Sequence, residues 1–158
     1  MIEQPREASS CMACRFVAEP VAVPGGRIAD TTHWVVEHCV GPLGVGTLIL
    51  KPRRHVVAVA ALNDTEVQEL GPLLRKCSAV AAEISDADQV YNTLWSHADT
   101  QPGHIHYVIQ PVTAQQCLST GLFGPALQMA MFDAGAVPDP RQVAMVADRA
   151  RTLWNAVR

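Results

Sequence analysis

The sequence has few charged residues, no excess of basic ones and no long apolar run. Only 17% of its 158 residues are Asp, Glu, Lys or Arg, and the formal net charge is -3. A hydrophobic fraction of 49% beside so few charges disfavours both an intrinsically disordered chain and a highly charged nucleic-acid binder. A charged residue or a proline interrupts every candidate membrane span. We therefore expect a globular protein whose partners are neither nucleic acid nor membrane.

The start of the sequence also lacks the features of a secretory signal. Residues 1–16 contain Glu3, Arg6 and Glu7 but no apolar stretch of the kind that a signal peptide needs. We therefore expect a soluble, cytoplasmic protein. The sequence has no internal repeat, no low-complexity segment and no linker, and its length suits one domain with a sizeable core. We expect residues 1–158 to form a single domain.

Six histidines and five cysteines are the main candidates for chemistry in a chain of this size. Two of the cysteines form the motif Cys11-Met12-Ala13-Cys14. This spacing suits metal binding or thiol–disulfide exchange, and the motif alone does not decide between them. A redox pair normally begins a helix that follows a strand, whereas only a short polar leader precedes Cys11. Zinc is therefore favoured.

Runs rich in β-branched and apolar residues predict four strands: residues 33–37, 47–50, 90–95 and 104–109. Glycines and a proline between the first two runs predict a hairpin with a longer loop, and Pro52 should end its second strand. A polar loop over residues 97–103 should join the last two strands.

Apolar residues at alternating steps of three and four predict a core-facing helix from Asn63 onward, formed by Val67, Leu70, Leu74, Cys77, Ala81 and Ile84. Asn63, Asp64 or Thr65 can cap this helix, and Pro72 predicts a kink or a late start. Residues 122–132 predict a second helix. Asp139-Pro140 predicts the start of a terminal helix, with an apolar face formed by Val143, Val146, Ala150, Leu153 and Val157.

The segment around His104 and His106 carries the strongest functional signal. Alternation along a strand places these two side chains and Val108 on one face, while Ile105, Tyr107 and Ile109 point into the core. The two imidazoles would lie roughly 7 Å apart. That separation is too large for both to bind one small ion easily, but one can hold a metal while the other does chemistry.

These motifs together resemble the histidine triad (HIT) superfamily, whose signature is His-φ-His-φ-His-φ-φ with φ apolar. His104 and His106 match its first two histidines. The zinc-containing branch adds an early Cys-x-x-Cys and a histidine that ends a Gly-Thr/His-Leu-φ-φ-x-Pro-Lys/Arg-Arg stretch, matched here by residues 46–55. The resemblance covers about residues 11–111, and residues 112–158 carry no motif that we can place.

The resemblance implies an α+β fold with a strongly bent antiparallel sheet of about five strands and helices on one face. The C-terminal extension, residues 112–158, would add further helices, and HIT proteins usually form homodimers. In the zinc-containing branch, and in the related galactose-1-phosphate uridylyltransferases, two cysteines and two histidines hold a structural zinc ion. The ligands here would be Cys11, Cys14, His55 and His104, a preferred closed tetrahedral set for zinc.

The family's nucleophile is the middle histidine of the signature, which corresponds to His106. Its imidazole would attack the α-phosphorus of a nucleotide ester, anhydride or phosphoramidate and form a covalent nucleotidyl-histidine intermediate. Water or an acceptor would then take the nucleotidyl group. A neutral imidazole suits this role near pH 7. The resemblance thus implies a nucleotide phosphoramidate or dinucleoside polyphosphate hydrolase, or a nucleotidyl transferase.

The sequence departs from the family at functional positions. Val108 replaces the third signature histidine, and the position that often carries an aspartate for the ribose falls at or near Cys39. The loop before the signature is shortened, which leaves Ser96, His97 and Gln101 (and Thr100) as substitute substrate-binding groups. The alternative function is a zinc-stabilised nucleotide-binding module with little or no turnover, and a thiol–disulfide role ranks third.

Several other residues have simpler interpretations. A solvated turn is favoured over phosphate contact for Lys51, Arg53 and Arg54. A place in the core or an interface is favoured over base stacking for Trp34 and Trp95. No chemical role is predicted for His33, His38, Cys77 or Cys117, and Cys77 fits the helix stripe.

Overall fold

The computed structural model describes residues 7–98 and 101–157. One antiparallel sheet contains five strands in the order β1-β2-β3-β5-β4, with the bounds Arg27–Asp30 (β1), Trp34–His38 (β2), Leu48–Pro52 (β3), Gln89–Ala98 (β4) and Gln101–Val112 (β5). The described residues also form the α-helices Met12–Ala18 (α1), Asp64–Ser85 (α2), Ala114–Thr120 (α3), Gly124–Ala134 (α4) and Pro140–Ala156 (α5). The predicted α+β fold with a five-stranded antiparallel sheet is confirmed.

The hairpin of β2 and β3 is as predicted, with its second strand ending at Pro52. The predicted loop over residues 97–103 is wrong for most of its length, because β4 and β5 continue their pairing as far as His97↔Pro102 and Ala98↔Gln101. The register shifts between Trp95 and His97, and the pairing resumes beyond this irregularity. Since β4 is an edge strand, its polar side chains can face solvent. Residues 99 and 100 of that predicted loop lie outside the described residues.

The main core lies between one face of the sheet and helices α2 and α5. The sheet contributes Ile28, Trp34, Val36, Leu48, Leu50 and Ile109, and the helices contribute Leu73, Cys77, Val80, Ala81, Ala147 and Ala150. The predicted burial of Cys77 in this face of α2 is confirmed. The predicted stripe is wrong at Val67, which is 52% exposed, because the first turn of α2 buries the neighbouring Glu66 instead.

Helix α2 begins at Asp64 because Asn63 and Glu66 cap it reciprocally. The Asn63 side chain accepts a hydrogen bond from the Glu66 N–H at 2.9 Å, and the Glu66 carboxylate accepts one from the Asn63 N–H at 2.8 Å. This capping box fixes the first turn well before Pro72. The late start considered for Pro72 is therefore wrong: the proline lies inside the helix, on an exposed position.

The Glu66 carboxylate also forms an ion pair with Arg54, whose Nη2 donates a hydrogen bond to Oε2 at 2.8 Å. Because Glu66 is only 2% exposed, we expect Glu66→Ala to lower the free energy of unfolding by about 2 kcal/mol, against no more than a few tenths for the exposed Glu83→Ala. Urea denaturation at pH 7 measures both. Equal effects of the two substitutions would contradict this role.

The effect of Glu66→Ala on the free energy of unfolding should depend on pH, because the pKa of Glu66 is shifted in the folded protein. The hydrogen bond from Arg54 lowers the pKa of Glu66 below its ordinary value of 4.5. A carboxyl whose pKa is lower in the folded state stabilises the fold above its unfolded pKa and loses this effect as the pH falls through the folded value. The difference in the free energy of unfolding between the wild type and Glu66→Ala should therefore become smaller below about pH 4.5.

The second face of the sheet is bordered by α1 and by α4. Gln128 of α4 donates a hydrogen bond to Gln110 at 3.0 Å, and the ring of Phe132 lies 5.2 Å from that of Trp95. Thus α2 and α5 form the predicted helical layer on one face, while α4 packs against the other. The helix predicted over residues 122–132 is observed as α4, whereas α3 was not predicted.

Helix α5 begins as predicted, with Asp139 accepting hydrogen bonds from the N–H groups of Arg141 and Gln142 and with Pro140 in the first turn. Its buried side chains are Val143, Ala147 and Ala150. None of the described helices combines the length and the apolar character that crossing a bilayer requires.

Candidate functional site

The four residues predicted as zinc ligands come together at one end of the sheet. Their donor atoms all lie within 4.8 Å of one another. The Sγ atom of Cys14 is 3.2 Å from Nδ1 of His55 and 3.4 Å from Nδ1 of His104. The Sγ atom of Cys11 is 3.8 Å from Nδ1 of His104. Residues from three separate parts of the sequence therefore form one compact cluster.

Local structure explains how the cluster forms. Cys11 is the N-cap of α1, so Cys14 lies one helical turn later on the same side. The helix α1 was not predicted. The Ile105 N–H donates to the Val56 carbonyl at 2.8 Å, which ties β5 to the segment that carries His55. Helix, loop and strand thus hold the four donors in place.

The geometry of the cluster fits zinc. Tetrahedral Zn–S bonds of about 2.3 Å and Zn–N bonds of about 2.0 Å place neighbouring donors about 3.3 to 3.8 Å apart, close to the separations of 3.2, 3.4 and 3.8 Å found here. His104 donates its Nε2–H to the Pro52 carbonyl at 2.9 Å. That hydrogen bond leaves the Nδ1 lone pair directed at the thiols, as a metal-binding histidine requires.

The electrostatics of the cluster agree with the need for a cation. Burial, together with the neighbouring Cys11, raises the pKa of Cys14 to about 11. The thiol would therefore stay protonated at neutral pH unless a bound cation stabilised the thiolate. Burial also lowers the pKa of His104 to about 4, so this imidazole is neutral and free to act as a ligand at Nδ1.

His106 lies two residues beyond His104 on β5 and borders a cavity on the second face of the sheet. It donates its Nδ1–H to the His104 carbonyl at 3.1 Å. This hydrogen bond selects the tautomer in which Nε2 carries the lone pair. Burial lowers the pKa of His106, and the nearby positive charge of Lys51 lowers it further. The side chain is therefore a neutral imidazole with a nucleophilic nitrogen available.

The cavity beside His106 has a volume of about 200 Å³. Helices α1 and α4 and strands β2 to β5 all contribute to its walls, which are mostly apolar: Met12, Ala13, Phe16, Glu37, His38, Cys39, Val40, Gly41, Leu43, Ile49, Lys51, Trp95, His106, Val108 and Phe132. Val108 packs against Cys39 and Leu43 within these walls. Both departures from the HIT pattern, at Cys39 and at Val108, thus face the same cavity as His106.

Two charged residues of the cavity were not predicted as site residues: Glu37 was given no role, and a solvated turn was favoured over phosphate contact for Lys51. Lys51 is 1% exposed and Glu37 is 3% exposed, and their side chains form a buried ion pair. The prediction of a solvated turn is wrong for Lys51, because β3 continues through this residue and its alternation points the side chain to the cavity. Arg53 and Arg54 follow the strand and pair with Asp30 and Glu66.

A signal for this pair was present in the sequence. Glu37 ends the first predicted strand and Lys51 directly follows the second, and the two strands were predicted to form one hairpin. In the observed register, Lys51 lies opposite Val35 and Glu37 opposite Ile49, so the two charges are diagonal neighbours on one face. Opposite charges near such positions in a predicted hairpin indicate a cross-strand ion pair.

The three predicted substrate-binding residues lie near the end of the β4–β5 hairpin. Ser96 is half-buried, His97 is exposed and Gln101 is half-buried. None of them is among the described residues that line the cavity beside His106. Their role in substrate binding stays a prediction.

His38 is a buried histidine whose hydrogen bonds are satisfied. It donates Nδ1–H to the Cys39 carbonyl at 2.7 Å, and its Nε2 accepts the Gly46 N–H at 2.9 Å. Gly46 has φ +93, and a Cβ added there would lie 2.3 Å from the Ser85 Oγ, so this position requires glycine. His38 therefore holds the β2–β3 loop in place along the cavity wall.

Comparisons with known proteins bear on the fold. No protein-family model and no curated protein matches the sequence. A Zn-bound histidine triad family protein from Mycobacterium smegmatis is similar in structure, with a TM-score of 0.68 and 16% identity over 95% of this chain and 96% of that one. A hypothetical histidine triad nucleotide-binding protein from Sulfolobus tokodaii gives a TM-score of 0.70 and 12% identity over 92% and 93% of the two chains.

A Hit-like protein involved in cell-cycle regulation from Bartonella henselae is also similar, with a TM-score of 0.68 and 12% identity over 94% of this chain and 99% of that one. Such coverage necessarily includes most of the residues after Val112. The similarity to these structures therefore extends beyond residues 11–111, the region in which the sequence itself resembles the family. The chain has the histidine triad fold.

Proposed function

We propose that this protein is a zinc-containing, HIT-like nucleotide hydrolase or nucleotidyl transferase with His106 as its nucleophile. The observation that carries the proposal is the position of His106: it borders a cavity, its Nδ1–H is engaged by the His104 carbonyl, and His104 itself belongs to the Cys2His2 cluster. The structural similarity to a Zn-bound and to a nucleotide-binding histidine triad protein supports it.

The chemistry would proceed in two displacements. The lone pair on Nε2 of His106 attacks the α-phosphorus, the bond from phosphorus to the leaving group breaks, and the leaving group departs with the electron pair. Water then attacks the nucleotidyl-histidine, releases a nucleoside monophosphate and restores the imidazole. Splitting the reaction in this way lowers each barrier.

Cys11, Cys14, His55 and His104 would hold the zinc ion, which would supply folding stability to the region. The chain's own residues contribute to the reaction by positioning the nucleophile and by shaping the cavity. The hydrogen bond from His106 to the His104 carbonyl orients the imidazole, and the mostly apolar walls of the cavity limit the access of water to the reacting phosphorus.

Covalent labelling tests the proposal. The protein is incubated with α-³²P-labelled dinucleoside polyphosphate and quenched under alkaline conditions, which preserve phosphohistidine. The bound label is then mapped by peptide mass spectrometry. We expect a nucleotidyl group on His106. Turnover without any labelled intermediate, or label on another residue, would contradict it.

A nucleotide-binding module without turnover is the second candidate, and Val108 favours it. A valine side chain neither donates to a phosphate oxygen nor supplies a proton. Binding of a nucleoside monophosphate, combined with no release of product and no label on His106, would favour this candidate.

The absence of a histidine at position 108 predicts which leaving groups react. An amine leaves readily only when it is protonated, whereas a nucleotide phosphate leaves as a stable anion. We expect dinucleoside polyphosphates to react faster than adenosine phosphoramidate, and Val108→His to raise phosphoramidate turnover roughly 10-fold or more relative to polyphosphate turnover. Product release measured by chromatography gives both rates. An unchanged ratio in the variant would contradict this interpretation.

A homodimer and a cytoplasmic location complete the proposal. Strand β4 lies at the edge of the sheet and exposes Leu94 on its surface, where 40% of the residue is accessible. None of the five cysteines forms a disulfide within the described residues, the state that a reducing compartment maintains. Sedimentation velocity at micromolar concentration should give the mass of two chains; a monomer would contradict the dimer.

A further inference from the structure

Lys51 is the one cationic side chain among the described residues that line the cavity beside His106. His106 is neutral there, and the remaining walls are mostly apolar. A phosphate group brought into this cavity would carry negative charge into surroundings that solvate it poorly. The charge needs a compensating cation, and Lys51 is placed to provide it.

The Lys51 ammonium is held firmly in the cavity wall. It pairs with Oε1 of Glu37 and lies 5.3 Å from the centre of the Phe16 ring. Such a lysine is largely fixed before any ligand arrives, so little side-chain entropy remains to be lost on binding. The position of the charge is therefore built into the fold.

Glu37 engages Lys51 through only one of its two carboxylate oxygens. Its Oε2 atom is buried and has no hydrogen-bond partner. Arg27 lies directly opposite Glu37 in the β1–β2 register, but it forms its ion pair with Asp30, at 3.4 Å. The charged pair that lines the cavity is therefore Lys51 with Glu37.

A purely structural role for the Lys51–Glu37 ion pair explains its burial in the cavity wall less well. Replacing a buried ion pair by apolar residues of similar size is often neutral or stabilising. At this point of the β2–β3 hairpin, Ile49 lies opposite Glu37 and lines the cavity, which shows that an apolar side chain fits this wall. A charged pair at the cavity beside a nucleophile therefore needs a role beyond packing.

From this geometry we infer that Lys51 binds the α-phosphate of the substrate, with Glu37 as its positioning residue. The inference rests on the proposed nucleotide function. Lys51 would donate hydrogen bonds to the non-bridging phosphate oxygens, and Glu37 would keep the ammonium directed along the cavity wall.

Binding measurements on charge variants test this role. Calorimetry compares AMP, GMP, CMP and UMP with the four unphosphorylated nucleosides, so that the contribution of the phosphate is isolated. The first variant combines Lys51→Met with Glu37→Gln and so leaves neither member of the buried ion pair charged. The second is the single replacement Glu37→Gln. The control, Arg53→Met, removes a cation outside the cavity. Thermal unfolding confirms that each variant is folded.

We expect the double variant to bind the preferred monophosphate about 10- to 100-fold more weakly, as loss of a charge-assisted hydrogen bond predicts, with nucleoside affinity unchanged. Glu37→Gln removes the opposing charge and should bind the monophosphate at least as tightly as the wild type. A merely structural pair would instead give losses in both variants, and for nucleosides as well as for monophosphates.

The outcomes separate this inference from the proposed function. Equal monophosphate affinity of the double variant and the wild type overturns the role of Lys51 while leaving His106 chemistry intact. Affinity that depends on Lys51, without any covalent label on His106, supports the phosphate site and contradicts the proposed catalysis. No binding of any monophosphate by the wild type overturns both.

Discussion

Replacing His106 by alanine should lower the turnover of dinucleoside polyphosphate by at least about 1000-fold, because removal of a covalent nucleophile commonly costs that much or more. The variant should also take up no label from the α-³²P substrate. Adenosine phosphoramidate serves as a second substrate in the same assay. Equal turnover by His106→Ala and the wild type would exclude the assignment.

A second substitution separates chemistry from positioning. His106→Asn keeps a side-chain N–H near the His104 carbonyl, which accepts the His106 Nδ1–H at 3.1 Å in the wild type, but an amide nitrogen does not attack phosphorus. This variant should be as inactive as His106→Ala while it unfolds near the wild-type temperature. His33→Ala is the matched control, since this histidine pairs with Glu69 at 2.7 Å and does not line the cavity; its turnover should stay unchanged.

Removing the metal should have the largest effect on stability. We expect one equivalent of zinc per chain by atomic absorption, and a loss of cooperative unfolding when a strong chelator removes it. A structural zinc ion contributes a free energy comparable to the whole stability of a small domain, about 5 to 15 kcal/mol. Cys14→Ser should therefore lose zinc and most of its thermal stability together.

The control for that experiment is a cysteine outside the cluster. Cys117 lies on α3 and is 9% exposed, so Cys117→Ser should keep its zinc and lose only about 1 kcal/mol of stability. A metal-free protein that unfolds cooperatively and forms a Cys11–Cys14 disulfide on oxidation would contradict the zinc site. That result would support the thiol–disulfide alternative.

The Cys2His2 cluster could be anticipated from the sequence through the resemblance to the HIT superfamily, because the motifs that carry the resemblance are local. The spacing of Cys11 and Cys14, the Pro-Arg-Arg-His stretch and the His-Ile-His segment from His104 are each visible in a few adjacent residues. Helix starts at Asn63 and Asp139 were predictable for the same reason, since capping depends on side chains within one turn.

The wall of the cavity was harder to predict, because it depends on contacts between distant elements. The burial of Lys51 depends on Phe16 and Glu37, which lie far from it in the sequence and reach it only through the β2–β3 register and the packing of α1. Likewise, the approach of α4 to Trp95 follows from tertiary packing that no periodicity in residues 122–132 indicates. The local composition at Lys-Pro-Arg-Arg favoured a solvated turn. Because β3 continues through Lys51 to Pro52, Lys51 is instead part of the strand and is buried.

The contact between Cys39 and Val108 has a consequence for any attempt to restore the third histidine. The two departures from the histidine triad pattern share one small apolar cluster with Leu43. A histidine at position 108 would bring a larger and more polar side chain against that cluster, so a gain in leaving-group protonation should be accompanied by a loss of packing. We therefore expect activity and thermal stability to move in opposite directions in Val108→His.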